Sequence, residues 1–323
     1  MPLLLAEADV ESILTMPLAL ELVETSFRRL ADGSAVSHSR RRLHVPGKTM
    51  LNYMAASDAT GGYLGLKIYS ISRGAARSVV PLFRAESGEM VALIEADYLG
   101  QMRTGAASGV ATRVMARGDA RTVAIIGTGL QARTQLEAVV VALARRIERV
   151  RAFGRDPQRR ETFAEEMAER LGVPVTPVSS AEEAVRGADI LITSTTSKTP
   201  VVEGRWLERG AHINAIGVNY AEKSEIDAEA VRRCDVIAAD SVEQSKVEAG
   251  DLIQAFANDA SRWAEVRELS EIVAGKVAGR TSRDQITLFK SNGIAIEDIV
   301  VGGRVYEMAL ERGLGRDVPM WQK

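Results

Sequence analysis

The residues best suited to catalysis in this chain are a lysine and an arginine. Lys67 follows the apolar run at 63–66 inside a predicted strand, where an ammonium group is costly to bury without a purpose. Such a lysine can have a lowered pKa and can donate a proton to an imine or a carbinolamine. The alternative is an edge-strand lysine whose ammonium group extends into water.

Arg103 and Thr104 lie near the head of a helix that the sequence predicts over 97–117 and that is rich in small residues. An arginine binds a carboxylate through two parallel hydrogen bonds. This position is therefore a second candidate for contact with a substrate, although helix arginines are more often exposed to solvent.

A glycine-rich loop predicts a dinucleotide-binding site. It comes directly after the apolar strand 122–126 and before a helix, as the G-x-G-x-x-A pattern requires. The loop residues are Gly127, Thr128, Gly129, Leu130, Gln131 and Ala132. The first glycine permits a tight turn, the second lets the backbone approach a pyrophosphate at the helix N-terminus, and the alanine allows close helix–strand contact.

The end of the next predicted strand, 149–153, bears on which dinucleotide the loop binds. An acidic residue there binds the ribose 2′-hydroxyl of NAD, whereas an arginine accommodates the 2′-phosphate of NADP. Gly154, Arg155 and Asp156 follow the strand. Arg155 favours NADP(H), while Asp156 keeps NAD(H) open, because a shift of one residue would place it at the ribose.

Composition argues against several other classes of function. The formal net charge of −2 gives no reason to expect nucleic acid or an anionic membrane as a partner, and no apolar run is long enough for a membrane span. His38, His44 and His212 lack metal-ligand spacing, and the single cysteine, Cys234, excludes a disulfide within the chain. With an N-terminus that does not resemble a signal peptide, these features predict a cytoplasmic protein without a metal site.

The elements that must position these residues follow two patterns. Residues 1–118 predict an N-terminal helix over 7–31, short strands, and the helix over 97–117. From Gly118 onward strands alternate with helices, including one helix from the glycine loop to about Arg145, and this pattern predicts a parallel sheet with helices on both faces. The predicted fold class is α/β, with a Rossmann dinucleotide-binding domain over 119–299 and a second, α+β domain.

Five sequence blocks together resemble the ornithine cyclodeaminase/mu-crystallin family. They are Leu64-Gly-Leu-Lys67, Arg103-Thr-Gly-Ala-Ala-Ser108, Ile126-Gly-Thr-Gly-Leu-Gln-Ala132, His212-Ile-Asn-Ala-Ile-Gly217 and Thr287-Leu-Phe-Lys-Ser-Asn-Gly293. They occur in the family's order and spacing over nearly the whole chain, which is a more specific signal than the glycine loop alone. The family includes archaeal-type alanine dehydrogenases, ketimine reductases and Δ1-pyrroline-2-carboxylate reductases.

The resemblance implies a homodimer that acts on a small amino or imino acid. Residues 1–118 with 300–323 would form the substrate-binding and dimerisation domain. Lys67 would be the proton donor or a carboxylate partner, and the substrate carboxylate would be bound by Arg42 and Arg103, with Thr104 beside them. The residues implied for the cofactor site are Thr195, Thr196, Val218 and, near the nicotinamide, Ser291.

Two positions depart from branches of the family. Asn219 takes the place of an aspartate that acts on the amino group of the substrate in ornithine cyclodeaminases. As a candidate catalytic residue Asn219 cannot serve as a general base, which weakens the cyclodeaminase interpretation. Asn52 takes the place of an arginine of the alanine dehydrogenase branch, which counts against alanine as the substrate.

The interpretation favoured by these residues is a reductase. It would transfer hydride from NADPH to the C=N carbon of a cyclic or linear α-imino acid and form an L-amino acid. The alternatives are a cyclodeaminase that oxidises, cyclises and re-reduces a diamino acid on one bound NAD, an alanine-type dehydrogenase, and a non-catalytic protein such as the crystallin branch contains. An intact lysine and carboxylate clamp argue against the last.

Overall fold

The computed structural model describes residues 1–72, 75–144 and 146–320. The chain divides into two compact units, Met1–Arg103 with Gly293–Lys323, and Thr104–Asn292. The sequence placed the boundaries at 118/119 and 299/300 instead. The difference arises because the helix that begins at Asp97 continues past Arg103 without a break, and its later turns pack in the second unit: a Cβ on Gly105 would lie 2.5 Å from the backbone oxygen of Thr134.

The first unit contains two N-terminal helices and a sheet whose strands pair antiparallel, except for the parallel pair of Leu3–Leu5 and Met90–Glu95. Its elements up to the unit boundary are β1 (Leu3–Leu5), α1 (Glu7–Ile13), α2 (Met16–Asp32), β2 (Ala35–Ser37), β3 (Arg41–Val45), β4 (Thr49–Asp58), β5 (Tyr63–Ser72), β6 (Ala75–Arg84), β7 (Met90–Glu95) and α3 (Asp97–Met115). The single helix predicted over 7–31 is wrong in one respect. It is interrupted at Thr15, whose backbone is extended, and Pro17 occupies the first turn of α2, where its missing N–H costs nothing.

The second unit is the predicted alternation of strands and helices. Its elements are β8 (Thr122–Ile126), α4 (Leu130–Ala142), β9 (Arg149–Phe153), α5 (Pro157–Leu171), β10 (Val175–Pro177), α6 (Ala181–Val185), β11 (Ile190–Thr193), β12 (His212–Ala215), α7 (Ala228–Arg233), β13 (Val236–Ala239), α8 (Val242–Glu248), α9 (Gly250–Ala255), β14 (Arg267–Glu268), α10 (Leu269–Val273) and β15 (Thr287–Lys290), with 3-10 turns at Gly204–Trp206 and Ala260–Glu265. Helix α4 ends at Ala142, and its predicted end near Arg145 lies outside the described residues.

The sheet of the second unit is parallel throughout, in the order β10-β9-β8-β11-β12-β15-β13-β14. Val123 and Ile125 of β8 belong to the apolar cluster on one face, and Ala124 and Ile126 to the cluster on the other. Burial on both faces explains why these strands are continuous apolar runs. The predicted Rossmann-type α/β fold is confirmed.

The chain returns to the first unit with α11 (Ala295–Arg312) and β16 (Arg316–Asp317). The first sheet has the order β16-β1-β7-β6-β5-β4-β2, with β3 paired to β4. Helix α11 covers one face of this sheet, since a Cβ on Gly65 of β5 would lie 2.8 Å from the side chain of Ile299. Among the described residues, no helix combines the length and apolar character that a membrane span needs.

Candidate active-site residues and dinucleotide cradle

Strand register places several candidate residues of the first unit on one face of its sheet. Arg42 on β3 pairs with Asn52 on β4, and Met54 on β4 pairs with Lys67 on β5. Directly paired residues of antiparallel strands point to the same face, as do residues two apart on one strand. Arg42 and Lys67, which lie 25 positions apart in the chain, therefore share the sheet face that α11 covers.

Lys67 is buried on a central strand, which excludes the edge-strand alternative. Its Nζ donates to the carbonyl oxygen of Ala96 at 3.0 Å and to Oδ1 of Asp298 at 3.1 Å. Burial lowers the pKa of Lys67, the carboxylate of Asp298 opposes that effect, and the neighbouring charge of Arg103 adds to it. The side chain thus has the setting of a proton donor held in place by a fixed carboxylate.

Arg103 completes a buried set of four charges. Its Nη1 lies 2.8 Å from Oε2 of Glu297, and its Nε lies 3.4 Å from Oδ1 of Asp298. We call Lys67, Arg103, Glu297 and Asp298 the charged cluster; it holds two cations and two carboxylates. Neither acidic residue was predicted from the sequence, although adjacent carboxylates in the first turn of a largely apolar helix are a signal of a buried ion pair.

Two glycines make room for the cations of the charged cluster. A Cβ on Gly100 would lie 2.9 Å from Nζ of Lys67, and a Cβ on Gly293 would lie 2.5 Å from Nη1 of Arg103. Gly293 also has φ +77°, a left-handed conformation that favours glycine. The Ser-Asn-Gly block noted in the sequence therefore ends on the residue that admits the guanidinium group.

Two further polar residues belong to this face. Asn52 is buried, and neither its side-chain oxygen nor its nitrogen has a hydrogen-bond partner among the described residues. Arg40, which was not predicted as a ligand, donates through Nη2 to the carbonyl oxygen of Gly293 at 3.0 Å. The face thus offers a neutral amide with unused hydrogen-bonding capacity in the neighbourhood of the charged cluster.

The glycine loop of the second unit has the geometry that a dinucleotide requires. Gly127 has φ +110°, and a Cβ there would collide with the carbonyl oxygen of Ser194. Gly129 is the N-cap of α4 with no side-chain cap, and a Cβ on it would meet nothing within 4 Å among the described residues. The N-terminus of α4 therefore has no side-chain cap and has space beside Gly129, which suits a pyrophosphate. Ala132 is buried, whereas Leu130 and Gln131 are exposed.

The turn after β9 distinguishes the two residues considered for the ribose. A Cβ on Gly154 would lie 2.7 Å from Oγ1 of Thr128, so this turn abuts the glycine loop. Oδ1 of Asp156 accepts from the backbone N–H of Arg159 at 3.1 Å and caps α5. The exposed Arg155 precedes that cap. Asp156 therefore has a local structural role that explains its presence without a ribose.

The remaining predicted cofactor residues follow the strands at the carboxyl edge of the same sheet, where nucleotides bind in such folds. Thr195 and Thr196 follow β11; the first is half-buried and the second exposed. The carbonyl oxygen of Val218 accepts from Nζ of Lys290 at 2.6 Å. Ser291 is buried, and its hydroxyl donates to Oδ2 of Asp240 at 3.1 Å.

The model of the ornithine cyclodeaminase/mu-crystallin family matches residues 1–313. The chain belongs to this family. A Δ1-pyrroline-2-carboxylate reductase of Bacillus cereus is 37% identical over 263 residues, which are 79% of this chain and 80% of that protein. The resemblance inferred from the five sequence blocks is confirmed.

Two solved structures of similar proteins extend over almost the whole chain. The Δ1-pyrroline-2-carboxylate reductase of Thermococcus litoralis, in complex with NADH and L-proline, is 38% identical with a TM-score of 0.93, covering 98% of this chain and 100% of that one. An archaeal alanine dehydrogenase dimer with bound NAD is 32% identical with a TM-score of 0.92, covering 99% of each. The similar proteins are thus nicotinamide-dependent enzymes of imino and amino acids.

Two other side chains that could take part in catalysis, His212 and Cys234, are buried. His212 is buried, its Nδ1 lies 2.9 Å from Oγ1 of Thr287, and burial lowers its pKa to about 3. Cys234 is buried, and burial raises the pKa of its thiol to about 12. Within the described part of the chain, no group of three acidic, histidine or cysteine residues could hold a metal ion.

Proposed function

We propose that this protein is an NAD(P)H-dependent reductase of small α-imino acids of the Δ1-pyrroline-2-carboxylate or Δ1-piperideine-2-carboxylate type, and that it forms an L-amino acid. The observation that carries the proposal is the buried Lys67, whose Nζ is fixed 3.1 Å from Asp298 in the charged cluster that also contains Arg103. Reduction of an α-imino acid needs a positioned proton donor and a group that binds the substrate carboxylate. Lys67 and Arg103 of this cluster offer these two groups.

In the proposed reaction each residue predicted to contact the substrate has one task. Arg103 and Arg42 bind the substrate carboxylate, with Thr104 as a further substrate contact. Lys67 holds a proton at the imine nitrogen, so that addition of hydride to the C=N carbon and of this proton to nitrogen yields the amine. The bound reduced nicotinamide supplies the hydride. Gly127, Gly129 and the start of α4 would hold its pyrophosphate, and Thr195, Thr196, Val218 and Ser291 would surround its nicotinamide end.

Asn219 favours the reductase over a cyclodeaminase. It occupies the position where a cyclodeaminase carries an aspartate, in the half-buried loop after β12. An amide cannot accept a proton from an ammonium group at neutral pH. In the reductase we propose that Asn219 contributes a neutral hydrogen bond to the substrate, which requires no base at this position.

We propose that NADPH is preferred over NADH. Arg155 directly follows the turn at Gly154, and a guanidinium group suits a 2′-phosphate. Asp156, the residue that would favour NAD, is engaged as the N-cap of α5. The similar proteins of known structure contain NADH or NAD, so the proposed preference rests on Arg155 of this chain alone.

We also propose that the protein is a homodimer, formed through the sheet face opposite to Lys67. Five large apolar residues on that face are exposed, among them Val36 at 53% and Leu43 at 58%; the others are Val45, Leu51 and Leu64. An apolar patch of this extent on adjacent strands is typical of an interface between subunits. A dimer would leave the α11 side, with its charged cluster, free for substrate.

The deciding experiment follows absorbance at 340 nm with NADPH, and then with NADH, against both cyclic imines. The Lys67→Met variant removes the proton donor at similar volume, and Lys246→Met, at an exposed lysine of α8, is the control. We expect rapid oxidation of NADPH by the wild type and a loss of about 10²- to 10⁴-fold in the Lys67 variant alone. A flat wild-type trace with both cofactors, together with ammonia release from ornithine or lysine, would replace the proposal with the cyclodeaminase.

A further inference from the structure

A second buried charged network lies in the second unit, at the carboxyl edge of its sheet. Oε1 of Glu225 accepts from the backbone N–H of Thr195 at 2.6 Å. Oε2 accepts from the N–H of Gly217 at 2.7 Å and from the hydroxyl of Thr193 at 3.0 Å. One carboxylate therefore joins the segment after β11 to the segment after β12.

Lys290 and Asp251 complete this network. Nζ of Lys290 donates to the carbonyl oxygen of Val218 at 2.6 Å and lies 2.9 Å from Oδ2 of Asp251. Oδ1 of Asp251 accepts from the backbone N–H of Glu225 at 2.6 Å. All three charged side chains are fully buried or nearly so. Glu225 and Lys290 thus fix the start of the loop from 217 to 225, and Asp251 fixes its end.

The two segments also touch directly at Gly217. A Cβ on Gly217 would collide with the backbone nitrogen and oxygen of Thr195 and would lie 2.5 Å from Oε1 of Glu225. A side chain at this position would separate the two segments even with the carboxylate intact. Close approach of the two loops and their connection by Glu225 are therefore two features of one arrangement.

We propose that Glu225, supported by Lys290 and Asp251, is a positioning residue that sets the loops after β11 and β12 and thereby the affinity for the dinucleotide. The inference rests on the proposed function, which assigns Thr195 and Val218 to the cofactor. Three buried charges are costly compared with apolar packing, and the apolar clusters on both sheet faces already stabilise this unit. The network is placed where the sheet binds its nucleotide, at the carboxyl ends of adjacent strands.

The chain contains a matched control at the opposite edge of the same sheet. Oδ2 of Asp189 accepts from the backbone N–H groups of Arg121 and Thr122 at 2.8 and 2.9 Å, and Asp189 also pairs with Arg117. Like Glu225 it joins two segments through a carboxylate, but at the amino ends of β8 and β11. Substitution of Asp189 therefore removes a carboxylate that connects two segments, and it leaves the carboxyl edge of the sheet, where the cofactor would bind, unchanged.

The experiment compares Glu225→Gln, Gly217→Ala and Asp189→Asn by thermal melting and by fluorescence titration with NADPH alone. The side-chain NH2 of a glutamine at 225 cannot accept from a backbone N–H, so at least one loop loses its connection. We expect both the Glu225 and Gly217 variants to bind NADPH about tenfold more weakly, a difference of about 1.4 kcal/mol. In steady-state assays the KM for NADPH should rise more than that for the imine, and Asp189→Asn should lower the melting temperature only.

Equal losses of melting temperature in Glu225→Gln and Asp189→Asn, with unchanged NADPH affinity in both, would reduce Glu225 to a structural residue. If Glu225→Gln does not fold, Gly217→Ala decides, since it leaves all three charges in place. The titration contains no imine, so a wild type that binds NADPH tightly but reduces no imine would refute the proposed function and leave this inference standing. A wild type that binds no dinucleotide would refute both.

Discussion

Nζ of Lys67 and Oδ1 of Asp298 lie 3.1 Å apart, and both side chains are buried in the first unit. A second N–H of the ammonium group donates to Ala96. An ammonium group has three N–H donors. Two of them have the partners named here among the described residues, and the third is left for a substrate. Burial lowers the pKa of Lys67, and the carboxylate of Asp298 opposes this effect by favouring the protonated amine.

The first prediction concerns Asp298→Asn. Without the carboxylate, burial and Arg103 lower the pKa of Lys67 further. A proton donor must be protonated, so the alkaline limb of kcat/KM for imine reduction should move to lower pH, with a loss of about one to two orders of magnitude at neutral pH. The measurement is a pH profile of kcat/KM, and Glu311→Gln, at an exposed carboxylate on the same helix, is the control. An unmoved alkaline limb would show that Asp298 does not govern the proton on Lys67.

The second prediction concerns Arg155→Ala and the choice of cofactor. If Arg155 binds the 2′-phosphate, its removal should raise the KM for NADPH about tenfold, because a charge-assisted hydrogen bond contributes about 1.5 kcal/mol or more. The KM for NADH should stay unchanged, since NADH has no such phosphate. Arg170→Ala, at the other end of α5, controls for the loss of a positive charge. Equal effects on both cofactors, or on neither, would contradict the NADPH preference.

The sequence predicted the parallel sheet and the glycine loop because both are local patterns of period and spacing. It identified Lys67 because a lysine in an apolar strand is unusual, but it could not supply Asp298, which lies 231 positions away. Only the packing of α11 on the first sheet brings the two together. The same limit hid Glu225 and Lys290, because a charged residue in a sequence carries no sign that it will be buried beside another.

The third prediction concerns the dimer. Leu43 is exposed and pairs with Leu51, another exposed leucine, on the apolar face of the first sheet. If that face is covered by a second copy, Leu43→Glu places a charge in the interface and should halve the mass measured by light scattering, without unfolding the chain. Val247→Glu, at an exposed valine of α8, is the matched control and should leave the mass unchanged. A monomeric wild type would refute the proposed interface.

The fourth prediction concerns stability against acid, which should depend on His212. Burial, and then the charge of Arg280, lower the pKa of His212 from 6.5 to about 3. Below pH 6.5 the imidazole of His212 becomes protonated in the unfolded chain but stays neutral in the folded chain until about pH 3. The free energy of unfolding therefore decreases as the pH falls. From pH 6 to pH 5, urea unfolding of the wild type should lose about 1 kcal/mol more than unfolding of His212→Gln. His44→Gln, at an exposed imidazole, is the control for replacing a histidine by a glutamine. Identical losses in the wild type and His212→Gln would mean that the buried imidazole is protonated in the folded state.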